Sequence, residues 1–160
     1  IYLYFPTKED LFRAVVRARL IPNLDAIEAM ASRHAGSAAD LLRLIGQRAG
    51  ELIESDITAI PKLVLTESGN FPAIARFYAE EVVSRGMALL ERVIARGIAR
   101  GEFRRVDPHS VVPLFSGPFL LMALWRQSLG RHSDISFDTK AVLNAHLDVF
   151  LRGLAAGGEP

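Results

Sequence analysis

Apolar residues recur at intervals of three and four positions in every segment of this chain whose pattern is readable. Between Leu41 and Ile53, for example, the apolar residues at positions 41, 42, 45, 49, 52 and 53 cluster on one side of a helix. Alternating runs of β-branched residues bounded by turns, which would predict strands, are missing. The pattern therefore predicts an all-α fold, and 160 residues are enough for one folding unit with a continuous core.

Capping residues, prolines and glycines divide this pattern into about six helices. Asp107 and Pro108 form a strong start signal, and Gly101 supplies a left-handed stop for the helix before them. The predicted helices cover about 8–33 with a kink at Pro22, 38–54, 56–68, 71–100, 108–130, and from 136 or 138 to 155. Because the sequence contains neither a repeat nor a linker, these helices are expected to pack as a single bundle.

The composition argues against several classes of function. The chain has no cysteine, so disulfides, thiolate metal sites and a cysteine nucleophile are impossible. Its four histidines have no partner at metal-ligand spacing, and no phosphate-binding glycine loop or nucleophile elbow is present. We therefore expect no enzyme activity, no metal and no cofactor. The near-balanced charge of +1 gives no sign of a nucleic-acid-binding surface in this chain by itself.

The longest apolar run, 111–125, is interrupted by Pro113, Ser116, Gly117 and Pro118. A membrane span requires roughly 18 to 20 predominantly apolar residues. We therefore expect no membrane association, and the lack of cysteine fits a protein of the reducing cytoplasm.

The last two predicted helices carry apolar residues on two sides. A helix at the end of a chain needs only one buried stripe. The second side therefore predicts a two-fold four-helix bundle formed with another copy of the chain. The candidate interface residues are Leu121, Trp125, Leu143, Leu147, Phe150 and Leu154. The alternative, which the pattern does not exclude, is that both helices are central in a monomeric bundle.

Bulky and adaptable side chains on the fourth and fifth predicted helices are candidates for the wall of a ligand cavity. Aromatic and methionine side chains suit apolar molecules of drug size, and Ser116 or Arg126 could orient a polar group of the ligand. Large side chains at helical spacing are equally typical of an ordinary bundle core. The candidate wall residues are Tyr78, Met87, Phe115, Phe119 and Met122.

The opening segment IYLYFPTKEDLF, residues 1–12, resembles the end of the helix-turn-helix unit of TetR-family transcription regulators. The resemblance implies a homodimeric regulator, of repressor type, that places recognition helices in successive major grooves of operator DNA. It also implies a helical body that binds a small-molecule effector. The segment 70–81 is similar to the AcrR-like branch of this family, which implies an apolar or amphipathic effector.

Carried onto this sequence, the resemblance places Tyr2 and Tyr4 on the DNA-contacting tyrosines of the recognition helix and Lys8 at the start of the next helix. Amide groups of a helix N-terminus together with an ammonium group bind a phosphate without reading sequence. Tyr4 and Phe5 could instead pack the DNA-reading unit against the first body helix.

The resemblance also divides the chain into two parts. Residues 1–6 would be the remnant of the recognition helix, and 7–160 the effector-binding and dimerisation domain. The preceding DNA-reading helices are then expected upstream of Ile1. The alternative is a stand-alone helical module for small-molecule binding or dimerisation without DNA binding, and it would share everything from Arg13 onward.

Overall fold

The computed structural model describes residues 4–157, and this part of the chain is helical. It contains eight α-helices, two short 3₁₀ turns and one π-helical segment, Ala79–Val83. The 3₁₀ turns are Asp56–Thr58 and Leu129–His132. The α-helices are α1 (Lys8–Arg19), α2 (Ile21–Arg33), α3 (Ala38–Ile53), α4 (Ala59–Glu67), α5 (Pro72–Tyr78), α6 (Ser84–Ala99), α7 (Pro108–Gln127) and α8 (Thr139–Leu154).

The all-α prediction and its approximate number of helices are confirmed. The number agrees because two pairs of these helices form continuous segments. Leu20 joins α1 to α2, two residues before the proline that was expected to kink the helix. The π segment joins α5 to α6, so that residues 72–99 run as one long helix. Counted in this way, residues 4–157 form six helical segments at the predicted places.

Side-chain caps mark the starts of α1, α3, α7 and α8. The Thr7 hydroxyl accepts from the backbone N–H of Asp10 at 3.1 Å, and the Ser37 hydroxyl accepts from Asp40 N–H at 2.9 Å. The Asp107 carboxylate accepts from two backbone N–H groups in the first turn of α7. Each of these bonds satisfies amide groups that a helix start leaves without an intrahelical partner.

The helices enclose two hydrophobic clusters. The larger one joins α3, α6, α7 and α8, with Leu41, Ile94, Val112 and Leu147 among its buried members. The smaller one joins α1, α4 and α5 around Phe12, Val16, Ile60, Val64, Ile74 and Phe77. Helix α4 contacts both α5 and α7, so it lies at the boundary between the two clusters.

Backbone hydrogen bonds connect the segment after α6 to the end of α8. Gly101 adopts φ +71° and ends α6, and the carbonyl of Gly97 accepts from the N–H groups of Glu102 and Phe103. The N–H of Arg104 then donates to Leu154 O at 2.9 Å. The connection between α6 and α7 is therefore bonded to the C-terminal end of α8.

Among residues 4–157, α7 is the one helix that is long and apolar enough to cross a membrane by length and composition. A mostly buried core helix passes the same test, whereas 28% of the apolar window of α7 is buried. Helix α7 contacts α3, α4, α6 and α8. Its buried side chains Val112, Phe115, Phe119 and Met122 lie in the larger cluster. Taken alone, such a helix is weak support for a span.

Candidate functional site

A cavity of about 500 Å³ lies between α4, the long helical segment 72–99 and α7. Its volume falls in the range that accommodates drug-sized ligands. Only two of its side chains, Tyr78 and Ser116, carry polar atoms, and no charged residue lines it within the described chain. The other lining residues are Pro61, Val64, Leu65, Ala75, Ala79, Val82, Val83, Gly86, Met87, Leu90, Gly117 and Leu120.

The π-helical segment forms part of the cavity wall through Ala79, Val82 and Val83. A π segment inserts an extra residue into a helix, and such insertions occur frequently at functional sites. Here the carbonyl of Ala79 accepts from the backbone N–H of Ser84 and from its hydroxyl at 2.9 Å. Ser84 therefore holds the closing turn of the π segment in place at the edge of the cavity.

Tyr78 is one of the two side chains of the cavity wall that carry a hydroxyl group. It is partly buried against the smaller cluster, and this burial raises the pKa of its phenol to about 12. Desolvation alone accounts for the higher pKa, because the hydroxyl forms no hydrogen bond with residues 4–157. The phenol is therefore neutral at physiological pH.

Ser116 and two glycines also line the cavity, Gly86 on α6 and the other two residues on α7. The Ser116 hydroxyl donates to Val112 O one turn earlier at 3.1 Å, so its oxygen remains available only as an acceptor. At Gly86 and Gly117 an added Cβ would meet no atom within 4 Å. The absence of side chains at these two positions therefore leaves open space on the cavity side of α6 and α7.

The structure divides the five residues predicted for the cavity wall. Tyr78 and Met87 line the cavity, as does Ser116. Phe115, Phe119 and Met122 are buried in the larger cluster instead and are not among its lining residues. Phe119 borders a separate and smaller cavity of about 170 Å³.

Phe115 and Phe119 belong to an aromatic cluster between α7 and α8. Their ring centroids lie 5.5 Å apart, and the His146 ring lies 6.1 Å from Phe115 and 5.7 Å from Phe119. Phe150 lies 5.3 Å from Phe115. His146 Nε2 donates to the Phe115 carbonyl at 2.8 Å, so this histidine joins the two helices.

Arg126 does not reach the cavity. Its guanidinium donates to the carbonyl of Glu54 at 3.1 Å, at the end of α3. On the neighbouring helix α4, Lys62 donates to the carbonyl of Gln127 at 2.7 Å. These two cations therefore stabilise the C-terminal end of α7 rather than facing the cavity.

The residues predicted to contact DNA lie at the N-terminal end. Tyr2 lies outside the described residues, and Tyr4 is 86% exposed. Lys8 begins α1, where Nζ lies 2.9 Å from Oε2 of Glu67 and 4.8 Å from the ring centroid of Phe71. The ammonium group is thus bound to the end of α4, and its side chain is half-exposed.

Three of the residues predicted for the dimer interface belong to the core of the subunit. Leu143, Leu147 and Leu154 are 2% to 4% exposed and pack in the larger cluster. A Cβ at Gly46 would lie 2.6 Å from Leu147 Cδ2, so this stripe of α8 faces α3 closely. Within the subunit these three leucines therefore have almost no exposed surface.

The remaining predicted interface residues retain exposed surface. Leu121 is 56% exposed, and Trp125 and Phe150 are partly buried. Trp125 packs on Phe137 with ring centroids 5.0 Å apart. Further apolar side chains on α7, α8 and the connection between them are also exposed, which sequence reasoning did not assign: Leu114, Leu120, Leu129, Ile135, Phe137 and Val149.

No group of three or more His, Asp or Glu side chains within 4–157 is arranged to hold a metal ion. His109 instead bonds to Glu91 through Nδ1 at 2.7 Å, and this bond raises the pKa of the imidazole. His34 Nε2 lies 3.2 Å from the carbonyl of Ser37. These histidines make local contacts between or at the ends of helices.

The architecture is that of an all-α bundle with an apolar cavity beside the boundary of its two clusters. Residues 33–133, more than half of the chain, match the family described as Tetracyclin repressor-like, C-terminal domain. The chain belongs to this TetR family of ligand-responsive transcription regulators, as the resemblance of its opening segment implied. All residues that line the cavity fall within the matched range. No curated protein and no solved structure matched the chain.

Proposed function

We propose that this chain is the body of an effector-responsive repressor, in which a small apolar or amphipathic molecule binds the cavity beside Tyr78. The observation that carries the proposal is the nearly all-apolar cavity within the part of the chain that matches the family. Apolar cavities with a few polar groups are typical of small-molecule sites. Residues 7–160 form the effector-binding and dimerisation domain in this proposal, and 1–6 belong to the DNA-reading unit.

Two polar connections support communication between the cavity and the N-terminal helices. Helix α4 contributes Pro61, Val64 and Leu65 to the cavity and ends at Glu67, which bonds to Lys8 of α1. A ligand that displaces α4 would therefore change the position of the residue that holds Lys8.

The second connection follows the π segment. Arg85 Nη2 lies 2.6 Å from Asp25 Oδ1 and 2.6 Å from Glu28 Oε2, both on α2. The hydrogen bond to Glu28, followed by that to Asp25, raises the pKa of the guanidinium above its usual range. Because Arg85 precedes the lining residue Gly86, the cavity wall is coupled to the helix that continues α1.

The proposal also includes a homodimer formed through α7 and α8. In this proposal a second copy covers the exposed apolar side chains of α7 and α8, which include Leu114, Leu121 and Val149, in a four-helix bundle. The homodimer would place two DNA-reading units on operator DNA in the cytoplasm, without enzyme activity or a cofactor.

Filling the cavity tests the effector site. Because an added Cβ at Gly86 meets no atom within 4 Å, Gly86→Leu should fold normally and occupy space that a ligand needs. We expect this variant to lose binding of the apolar dye N-phenylnaphthylamine, whereas Gly86→Ala, which adds one methyl group, keeps most of it. Equal dye binding by both variants would place the dye elsewhere and argue against this cavity.

The DNA-binding part of the proposal has a separate test. The reading frame upstream of Ile1 is expected to encode the first helices of a helix-turn-helix unit, and its product should bind a palindromic site as a dimer. A start codon at or immediately before Ile1 would contradict this part and leave a helical ligand-binding module.

A further inference from the structure

We infer that the cavity selects uncharged molecules that present a hydrogen-bond acceptor, such as a ketone or ester carbonyl, to the hydroxyl of Tyr78. This inference rests on the proposed function, because it assumes that the cavity between α4, segment 72–99 and α7 is the effector site. It adds the chemical class of the effector and the residue that orients it.

The exclusion of charged ligands follows from the composition of the wall. Of the fourteen lining residues found among 4–157, twelve carry no polar side-chain atom and two carry a hydroxyl group. A buried ion requires a partner of opposite charge or several hydrogen bonds to offset the loss of hydration. Neither a carboxylate nor an ammonium group finds such a partner on this wall.

The charged side chains nearest in sequence are engaged elsewhere or exposed. Arg85 is bound to Asp25 and Glu28 on α2, and Lys62 donates to the carbonyl of Gln127. Glu80 and Glu81 of the π segment are exposed and are not among the lining residues. None of these charged side chains lines the cavity, so none is a counter-ion on its wall.

The preference for an acceptor follows from the two hydroxyl groups. Ser116 already donates its proton to Val112 O, so its oxygen can only accept. Tyr78 makes no hydrogen bond with a described residue, so it is the lining side chain with a proton left to donate. Burial keeps the phenol protonated, and a ligand carbonyl would satisfy the hydroxyl within the apolar wall.

Four compounds of similar shape test the exclusion of charged ligands separately from the preference for a hydrogen-bond acceptor. Benzylacetone carries a ketone, hydrocinnamate and phenylpropylammonium carry a charge of either sign, and butylbenzene carries no polar group. Competition with N-phenylnaphthylamine at neutral pH measures their affinities for the intact protein. We expect benzylacetone to bind on the order of a hundredfold more tightly than either ion.

Tyr78→Phe tests the hydrogen bond while keeping the ring. We expect it to weaken benzylacetone binding by about twofold to tenfold, the contribution of one hydrogen bond, and to leave butylbenzene unchanged. Tyr4→Phe removes the same atom from an exposed tyrosine that does not line the cavity and serves as the matched control. Its affinities should equal those of the unmodified protein.

The possible failures are distinguishable. Binding of hydrocinnamate or phenylpropylammonium as tight as that of benzylacetone would overturn the selection of uncharged molecules. An unchanged affinity of Tyr78→Phe for benzylacetone would overturn the role of the hydroxyl. If neither the dye nor any of the four compounds bound, the proposed effector site itself would be wrong, and this inference would fail with it.

Discussion

Lys8, the first residue of α1, donates from Nζ to Oε2 of Glu67, the last residue of α4, over 2.9 Å. The two residues are 59 positions apart in the sequence. Their contact ties the helix next to the opening segment to a wall of the cavity. The family resemblance implies that Lys8 contacts a DNA phosphate. We therefore propose that Glu67 and the phosphate compete for the same ammonium group.

Removing the charge of Glu67 should therefore strengthen DNA binding. The Lys8 side chain is 50% exposed, and exposed ion pairs contribute at most about 1 kcal/mol, so we expect Glu67→Gln to lower the operator Kd by about twofold to fivefold. Lys8→Ala should weaken binding and reduce the slope of log K against log salt concentration by about 1. Fluorescence anisotropy of the full gene product with operator DNA at several salt concentrations measures both effects.

Glu51→Gln is the matched control, because Glu51 pairs with Arg48 at 2.7 Å within the exposed surface of α3. It removes the same charge from a pair that does not involve Lys8. If Glu51→Gln strengthened DNA binding as much as Glu67→Gln, a general reduction of negative charge would explain the effect and the specific competition would be refuted.

Two glycines of α6 should respond in opposite ways to the same substitution. A Cβ at Gly97 would overlap the ring of Phe103 and lie 2.9 Å from Cβ of Ala38, so Gly97→Ala should cost about 1–3 kcal/mol of unfolding free energy. Gly86 faces open space, and Gly86→Ala should add up to about 1 kcal/mol through its better helix propensity. Thermal or urea unfolding of both variants measures whether each substitution raises or lowers the free energy of unfolding. A stabilised Gly97→Ala protein would contradict the close packing of α6 against Phe103.

Tyr78 should make the stability of the protein depend on pH in the alkaline range. Burial raises the pKa of its phenol from 10.0 to about 12, so the folded state holds this proton more tightly than the unfolded state. The contribution is fully present below pH 10 and is lost as the pH rises toward 12. Two pKa units correspond to about 3 kcal/mol.

Urea unfolding between pH 9 and pH 12 measures this loss as the difference between two proteins. Unmodified protein should lose stability more steeply than Tyr78→Phe, which has no phenol at this position to ionise. Tyr4→Phe should behave like the unmodified protein, because Tyr4 is exposed. Parallel pH profiles for the unmodified and Tyr78→Phe proteins would show that the phenol titrates alike in the folded and unfolded states.

Capping residues and hydrophobic periodicity were sufficient to predict where the helices lie in the sequence. They did not predict which side of each helix faces the core. Thr7, Ser37 and Asp107 cap helices where their side chains and spacing predicted. By contrast, α7 and α8 are apolar on two sides, and composition does not tell which side faces the core. The missed signal was the pair Gly46 and Gly50 on α3, whose small size lets the leucine stripe of α8 approach closely.

The cavity was only partly predictable for a similar reason. Tyr78 and Met87 were recognised because large adaptable side chains stand out in a helical pattern. The π segment has no recognisable sequence signature, and its extra residue changes which side chains of 79–83 face the cavity. Phe115 and Phe119 are large apolar side chains of the kind that also line cavities, but their rings pack with His146 in the core.

The buried position of the leucine stripe predicts different outcomes for two substitutions on α8. Val149 is 71% exposed, whereas Leu147 is 2% exposed in the core. In the proposed dimer, Val149→Glu would bury an unpaired charge and should raise the dimer Kd on the order of a hundredfold while the subunit stays folded. Leu147→Glu should instead unfold the chain, because its carboxylate would lie inside the larger cluster.

Sedimentation and circular dichroism together separate these outcomes. Val149→Glu should sediment as a monomer of 17.6 kDa with an unchanged helical spectrum, and Leu147→Glu should lose that spectrum. Leu44→Glu places the same charge on a 40% exposed apolar position of α3 and should remain dimeric and folded. A Val149→Glu protein that stays dimeric at micromolar concentration would exclude this part of α8 from the interface. An unmodified protein that is monomeric at that concentration would refute the dimer itself.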